Sequence, residues 1–168
     1  MRRAFALLCL LFSAWAVAGP AAAETLRGVV IVVIDGDTVL FKPDHYHPFG
    51  RAFLKIRLAD IDAPEHDQPY GEAATRALSA QVLNQRVEVD TVATDVYGRT
   101  IARIRVGEDE VGAGLVRRGL AWTATRSRHA SDLKAAQREA RLARRGLWQD
   151  AAPMPPWVWR RAHSASGP

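Results

Sequence analysis

At 168 residues, 48% of them hydrophobic and 24% charged, the chain can bury one core and is too short for two independent ones. A formal charge of +5 is mildly basic and favours anionic over cationic partners, and a single cysteine excludes an internal disulfide or a cluster of thiolate metal ligands.

The N-terminus reads as an export signal. Arg2 and Arg3 precede an apolar run over residues 4–18, and Ala21-Ala22-Ala23 offers the small side chains a signal peptidase accepts. The run falls short of the roughly 20 apolar residues that span a bilayer, so cleavage after Ala23 is expected in place of an anchor. Arg2-Arg3 with Phe5 also suits a twin-arginine signal, and both routes stay open. Cys9 would leave with residues 1–23, and loss of Arg2 and Arg3 leaves a net +3 on a chain beginning at Glu24. A periplasmic or extracellular location follows.

Residues 26–34 are rich in Val and Ile, Asp35-Gly36 signals a turn, and residues 38–42 resume an extended pattern, which predicts a hairpin. After a loop at 43–51, a third strand is expected over 52–61, closed by Asp62-Ala63-Pro64 because proline cannot donate to a ladder. In that loop His45 and His47 flank Tyr46; two imidazoles without a third ligand read as surface residues. Ala73, Ala74, Ala77, Leu78 and Val82 recur at helical spacing within 72–84, and strands follow at 87–92 and 99–106. A weaker helix is expected at 111–120, and a third at 132–145, capped by Ser131 and ended by Gly146. Between Arg117 and Arg145 run Arg118, Arg126, Arg128, Lys134, Arg138, Arg141 and Arg144, opposed only by Asp132 and Glu139: either a polyanion-binding patch or a solvated helix face. Trp122 and Trp148 are expected to close the core. Residues 151–168 form a tail with Pro153, Pro155, Pro156 and Pro168, in which Trp157 and Trp159 beside Arg160 and Arg161 are expected to pack on the domain at 24–150, with contact to nucleic acid or membrane as the alternative. No stretch after the signal is apolar enough to cross a membrane.

Five strands, a helix between the third and fourth, and helices after the fifth predict an α+β protein: a closed antiparallel five-stranded oligonucleotide-binding (OB) barrel with about three α-helices. Three polar clusters sit at strand ends: Asp35-Gly36-Asp37-Thr38, then Arg57 with Asp62-Ala63-Pro64-Glu65, then Asp95-Val96-Tyr97-Gly98-Arg99. Brought together, they supply carboxylates for a hard cation, two guanidinium groups for a phosphate and a further carboxylate to handle water. That inventory suits phosphodiester cleavage.

In order and spacing these clusters resemble the thermonuclease family, the secreted staphylococcal-nuclease-like enzymes. The likeness runs from about Val29 to Trp148 and takes in Tyr70-Gly71, residues 115–121 and Gly146-Leu147-Trp148. It implies an OB barrel that cleaves DNA and RNA with Ca²⁺. It assigns Asp37, Asp62 and the main-chain carbonyl of Ala63 to the metal, Glu65 to the attacking water, Arg57 and Arg99 to the scissile phosphate, and Tyr97 to a neighbouring phosphate. Asp35 corresponds to an acid near the metal but outside its immediate ligands. Many members carry Thr at the Ala63 position, a swap a carbonyl ligand tolerates. Three departures bear on substrate binding: Val96 replaces a basic residue, the loop after Glu65 is short, and Thr125 stands where a base-stacking aromatic occurs.

Single-stranded or locally melted DNA and RNA are the substrates the resemblance implies, with 3′-phosphate products, and a monomer is the simplest assembly. The rival reading is a catalytically silent OB module that only binds nucleic acid; a third is a calcium-stabilised envelope protein. Silent modules commonly lose the acidic and arginine positions, whereas Asp37, Arg57, Asp62, Glu65 and Arg99 all remain here.

Overall fold

The computed structural model describes residues 25–45, 51–124 and 130–164. The expected signal segment with Cys9, the Tyr46 and His47 positions, and Thr125, Arg126 and Arg128 lie outside the described residues.

Strands β1 (Thr25–Val33) and β2 (Thr38–Pro43) form the expected hairpin, with a register shift between Val30 and Val32. β2 pairs with β3 (Leu54–Leu58), while β1 pairs on its other edge with β5 (Arg86–Thr94), which pairs in turn with β6 (Thr100–Val106). Those four pairings are antiparallel. The fifth, β3 to β6, closes the barrel and is parallel, with Ile56 opposite Thr100 and Leu58 opposite Ala102. The sheet is therefore mixed where antiparallel pairing was expected: β3 and β6 are not sequence neighbours, and the helix between them reverses the chain before β5. Closure leaves no exposed edge between these strands.

The strand expected over 52–61 is broken. After Leu58 the chain turns at Ala59-Asp60, where Asp60 holds a left-handed φ of 66° and its Oδ2 accepts from Arg103 Nε at 2.9 Å and Nη2 at 2.6 Å. β4 (Ile61–Asp62) then leaves the barrel to pair with β8 (Trp122–Thr123), carrying Asp62 beneath the polar cleft.

Helix α1 (Gly71–Val82) buries Ala74, Leu78 and Val82 against the barrel, the face its apolar spacing predicts. A two-residue strand β7 (Asp109–Glu110) leads into α2 (Val111–Arg117), and α3 spans Ala130–Leu142. Ser131 lies inside the first turn of α3, not at its cap, and the helix stops before the left-handed Arg144 and Gly146. Phe41, Ile56, Leu78, Ile104 and Leu115 are fully buried in a core shared by barrel and helices. A second cluster joins Trp122, Ala140, Leu147 and Trp148, and the two indoles meet edge-on with centroids 4.4 Å apart.

The tail holds a fourth helix, α4 (Pro156–Ser164), that the sequence pattern does not announce. It packs on the domain, as expected, through Trp157 against Trp122. Among the described residues no helix is long and apolar enough to cross a membrane.

Candidate active site

The β1–β2 turn separates the roles of its two aspartates. Asp35 Oδ1 accepts the Asp37 amide at 2.9 Å, so Asp35 shapes the turn, while the Asp37 side chain points inward and is 3% exposed. Gly36 makes the close approach possible, since a Cβ there would lie 2.7 Å from the Cβ of Ala63 and 2.8 Å from that of Ala74. Asp37 Oδ2 accepts the Ala63 amide at 3.0 Å, which fastens the Asp62-Ala63-Pro64 corner to the hairpin.

Arg57 lies opposite Thr38 in the β2–β3 ladder and reaches into the cleft. Its Nη1 donates to Asp37 Oδ1 at 2.7 Å and its Nη2 to Asp62 Oδ1 at 2.6 Å, so one guanidinium bridges both carboxylates. Burial alone would lower its proton affinity, but the two anions raise it and Arg57 stays charged. Burial pushes the Asp37 carboxyl up to about 7 despite the opposing pull of Arg57, with Asp35 and Asp62 adding to the rise.

On the far wall, the β5–β6 turn is built by Asp95. Its Oδ1 accepts the amides of Tyr97 at 3.0 Å and Arg99 at 2.9 Å, and its Oδ2 accepts from Arg99 Nε at 2.7 Å. Partial burial raises the Asp95 pKa, but these three bonds outweigh it and hold the carboxyl below its ordinary range. Tyr97 is 82% exposed, and the Arg99 guanidinium lies 5.6 Å from its ring centroid.

Asp35, Asp37, Arg57, Ala63, Glu65, Tyr97 and Arg99 all line one pocket of about 650 Å³. Asp62 stands just behind it, 7% exposed and tied to the pocket through Arg57. Every site residue expected from sequence is thus brought to one place. Two pocket residues were not expected. Lys55 shares the Arg57 face of β3 by two-residue alternation, a signal the sequence does carry. Arg160 arrives from α4, and only its place beside Trp157 and Trp159 could have pointed to it.

The donor set suits a hard, oxygen-seeking cation: two buried carboxylates beside main-chain oxygen, with no sulfur and no imidazole. Among the described residues no three His, Cys, Asp or Glu side chains gather into a metal-holding group.

Residues 55–150 match the family model described as staphylococcal nuclease homologue. The chain belongs to the staphylococcal nuclease family. Among relatives of this nuclease-family protein, Protein ParB of Escherichia coli is 40% identical over 172 residues, covering 96% of this chain and 91% of its own. An uncharacterized endonuclease of Escherichia coli O157:H7 is 35% identical, covering 95% of this chain and 98% of its own length. Micrococcal nuclease of Shigella flexneri is 34% identical, with 81% of each chain covered.

The basic run at 117–145 is not a uniform cationic face in this nuclease-family domain. The Arg141 guanidinium lies 4.1 Å from the Trp148 ring centroid, and Arg145 donates to Glu139 at 3.0 Å and to the Arg117 carbonyl at 3.2 Å.

Proposed function

We propose that this protein hydrolyses phosphodiester bonds of DNA and RNA with little sequence preference, uses Ca²⁺, and leaves 3′-phosphate ends. In this reading it acts outside the cytoplasm after losing residues 1–23. The observation that carries the reading is the convergence of buried Asp37, two arginines and Glu65 on one pocket, with buried Asp62 joined to it through Arg57.

Asp37, Asp62 and the Ala63 carbonyl would hold the metal, and a bound Ca²⁺ would supply Lewis-acid neutralisation of the phosphate charge. Glu65 orients a water and accepts its proton as the water oxygen bonds to phosphorus and the 5′ oxygen departs. Its Oε1 is taken by Arg160, which leaves Oε2 for the water. Arg57 and Arg99 donate to the non-bridging oxygens, where charge grows at the transition state. Tyr97, exposed at the rim, meets an adjacent phosphate. Contacts of this kind go to the backbone and not to base edges, which accounts for broad substrate choice.

The deciding experiment incubates purified protein with plasmid, single-stranded DNA and RNA, with Ca²⁺ or a chelator, beside Glu65→Gln. Calcium-dependent degradation that the variant loses supports the enzyme. Binding without cleavage by the unaltered protein would replace it with the silent module.

A further inference from the structure

The segment after α3 returns to the active site along a defined route. Gln68, 5% exposed, holds both strands of that route: its Oε1 accepts the Glu65 amide at 3.1 Å and its Nε2 donates to the Met154 carbonyl at 2.6 Å. Pro156 opens α4 at a position where a missing N–H is harmless. The next residue, Trp157, packs edge-on against Trp122 with centroids 5.6 Å apart, and Trp159 Nε1 donates to Asp67 Oδ1 at 3.3 Å. Contacts on both sides of the helix therefore fix the register of the next residue, Arg160.

Arg160 spends that register on the carboxylates of the site. Nη1 donates to Glu65 Oε1 at 2.5 Å and to Asp62 Oδ1 at 3.2 Å, and Nη2 donates to Asp62 Oδ2 at 2.8 Å. Glu65 sits on irregular backbone just past Pro64 with a half-exposed side chain. Among the described residues, Arg160 is the one partner of its carboxylate.

We infer that Arg160 is a positioning residue of the active site, delivered by α4 to hold Glu65 in a single orientation against Asp62. The inference rests on the reading that Glu65 handles the attacking water. A carboxylate on a short loop samples several rotamers, and fixing it in advance removes that ordering from the barrier. The planar fork of arginine spans two carboxylates at once, which a lysine ammonium on one point cannot reproduce. The Arg160 side chain is 42% exposed, so its ion pairs add little to stability and its effect falls on turnover.

The test compares unaltered protein with Arg160→Ala, Arg160→Lys, Glu65→Gln and the Arg160→Ala/Glu65→Gln double variant, using a fluorophore-labelled single-stranded DNA oligonucleotide and Ca²⁺. Arg160→Ala is expected to lower kcat by about tenfold or more with KM nearly unchanged, the pattern of a loss felt only at the transition state. Its melting temperature should stay close to that of the unaltered chain. Arg160→Lys should recover only part of the rate, and added ethylguanidinium should restore turnover to Arg160→Ala but not to Glu65→Gln. The double variant should be no slower than Glu65→Gln alone, because Arg160 acts through Glu65. Unchanged or faster turnover in Arg160→Ala, or additive losses in the double variant, would overturn the inference while leaving the nuclease reading intact. No cleavage by the unaltered protein overturns both.

Discussion

Arg57 donates to Asp62 at 2.6 Å from one terminal nitrogen while its other terminal nitrogen is engaged 2.7 Å away by Asp37. The residue thus preorganises the two candidate metal ligands before any phosphate arrives. Arg57→Lys keeps the charge and loses the fork. Cleavage is expected to fall roughly 100-fold to 1000-fold, by comparison with other donors to developing oxyanions. Single-turnover rates with saturating DNA, paired with circular dichroism to confirm the fold, measure it. A Lys variant within about threefold of the parent would remove Arg57 from the phosphate.

Much of this site is legible in the sequence because its parts are local. Asp35-Gly36-Asp37 announces a tight turn, and the turn itself sends Asp37 inward, while Pro64 ends the chain's extended run beside Asp62. Period-two alternation likewise places Arg57 on the cleft face. What stays hidden depends on pairings distant in sequence. The parallel contact of β3 with β6 and the break at Asp60 are decided by where α1 returns the chain and by the Arg103 side chain 43 residues away. Arg160 is separated from Asp62 by 98 residues, and helix α4 gains its place from Trp122 and Gln68, not from its own pattern.

Calcium binding can be read without catalysis. A ligand that binds only the folded chain stabilises it by about 2.7 kcal/mol at 100 times its Kd. For a domain of this size each kcal/mol moves Tm by roughly 2–4 °C. Titrating Ca²⁺ into chelator-treated protein is therefore expected to raise Tm by several degrees. In Asp37→Asn, which keeps an oxygen for the Ala63 amide but loses the charge, the shift should vanish. An equal shift in both proteins would place the ion elsewhere.

The junction of α2 and the 3-10 turn at Gly146–Gln149 tolerates no side chain. Gly146 has φ 52°, and a Cβ there would lie 2.2 Å from the Gly119 carbonyl oxygen, a backbone atom that cannot swing away. Gly146→Ala is expected to cost about 1–3 kcal/mol from backbone strain, with overpacking adding to it. Urea denaturation should show a lower midpoint at similar slope. The loss falls on the cluster of Trp122, Ala140, Leu147 and Trp148.

Asp95 separates turn-building from charge. Its carboxylate accepts two amides of the 95–99 turn and the Arg99 Nε. Asp95→Asn preserves an acceptor for the amides and removes the anionic grip on Arg99; Asp95→Ala removes both. Cleavage is expected to fall in the order parent, Asn, Ala. The pH dependence has a fixed sign: the folded-state pKa lies below the ordinary 3.8, so the contribution of Asp95 to folding is present above that value. It is lost as pH drops through the lower, folded value. Acid titration of the Arg99 Nε–H resonance by NMR should therefore show the pair persisting below pH 3.8 in the parent and absent at all pH values in Asp95→Ala. Release of Arg99 in the parent above that pH would show that the turn does not hold it, and the activity ranking would lose its basis.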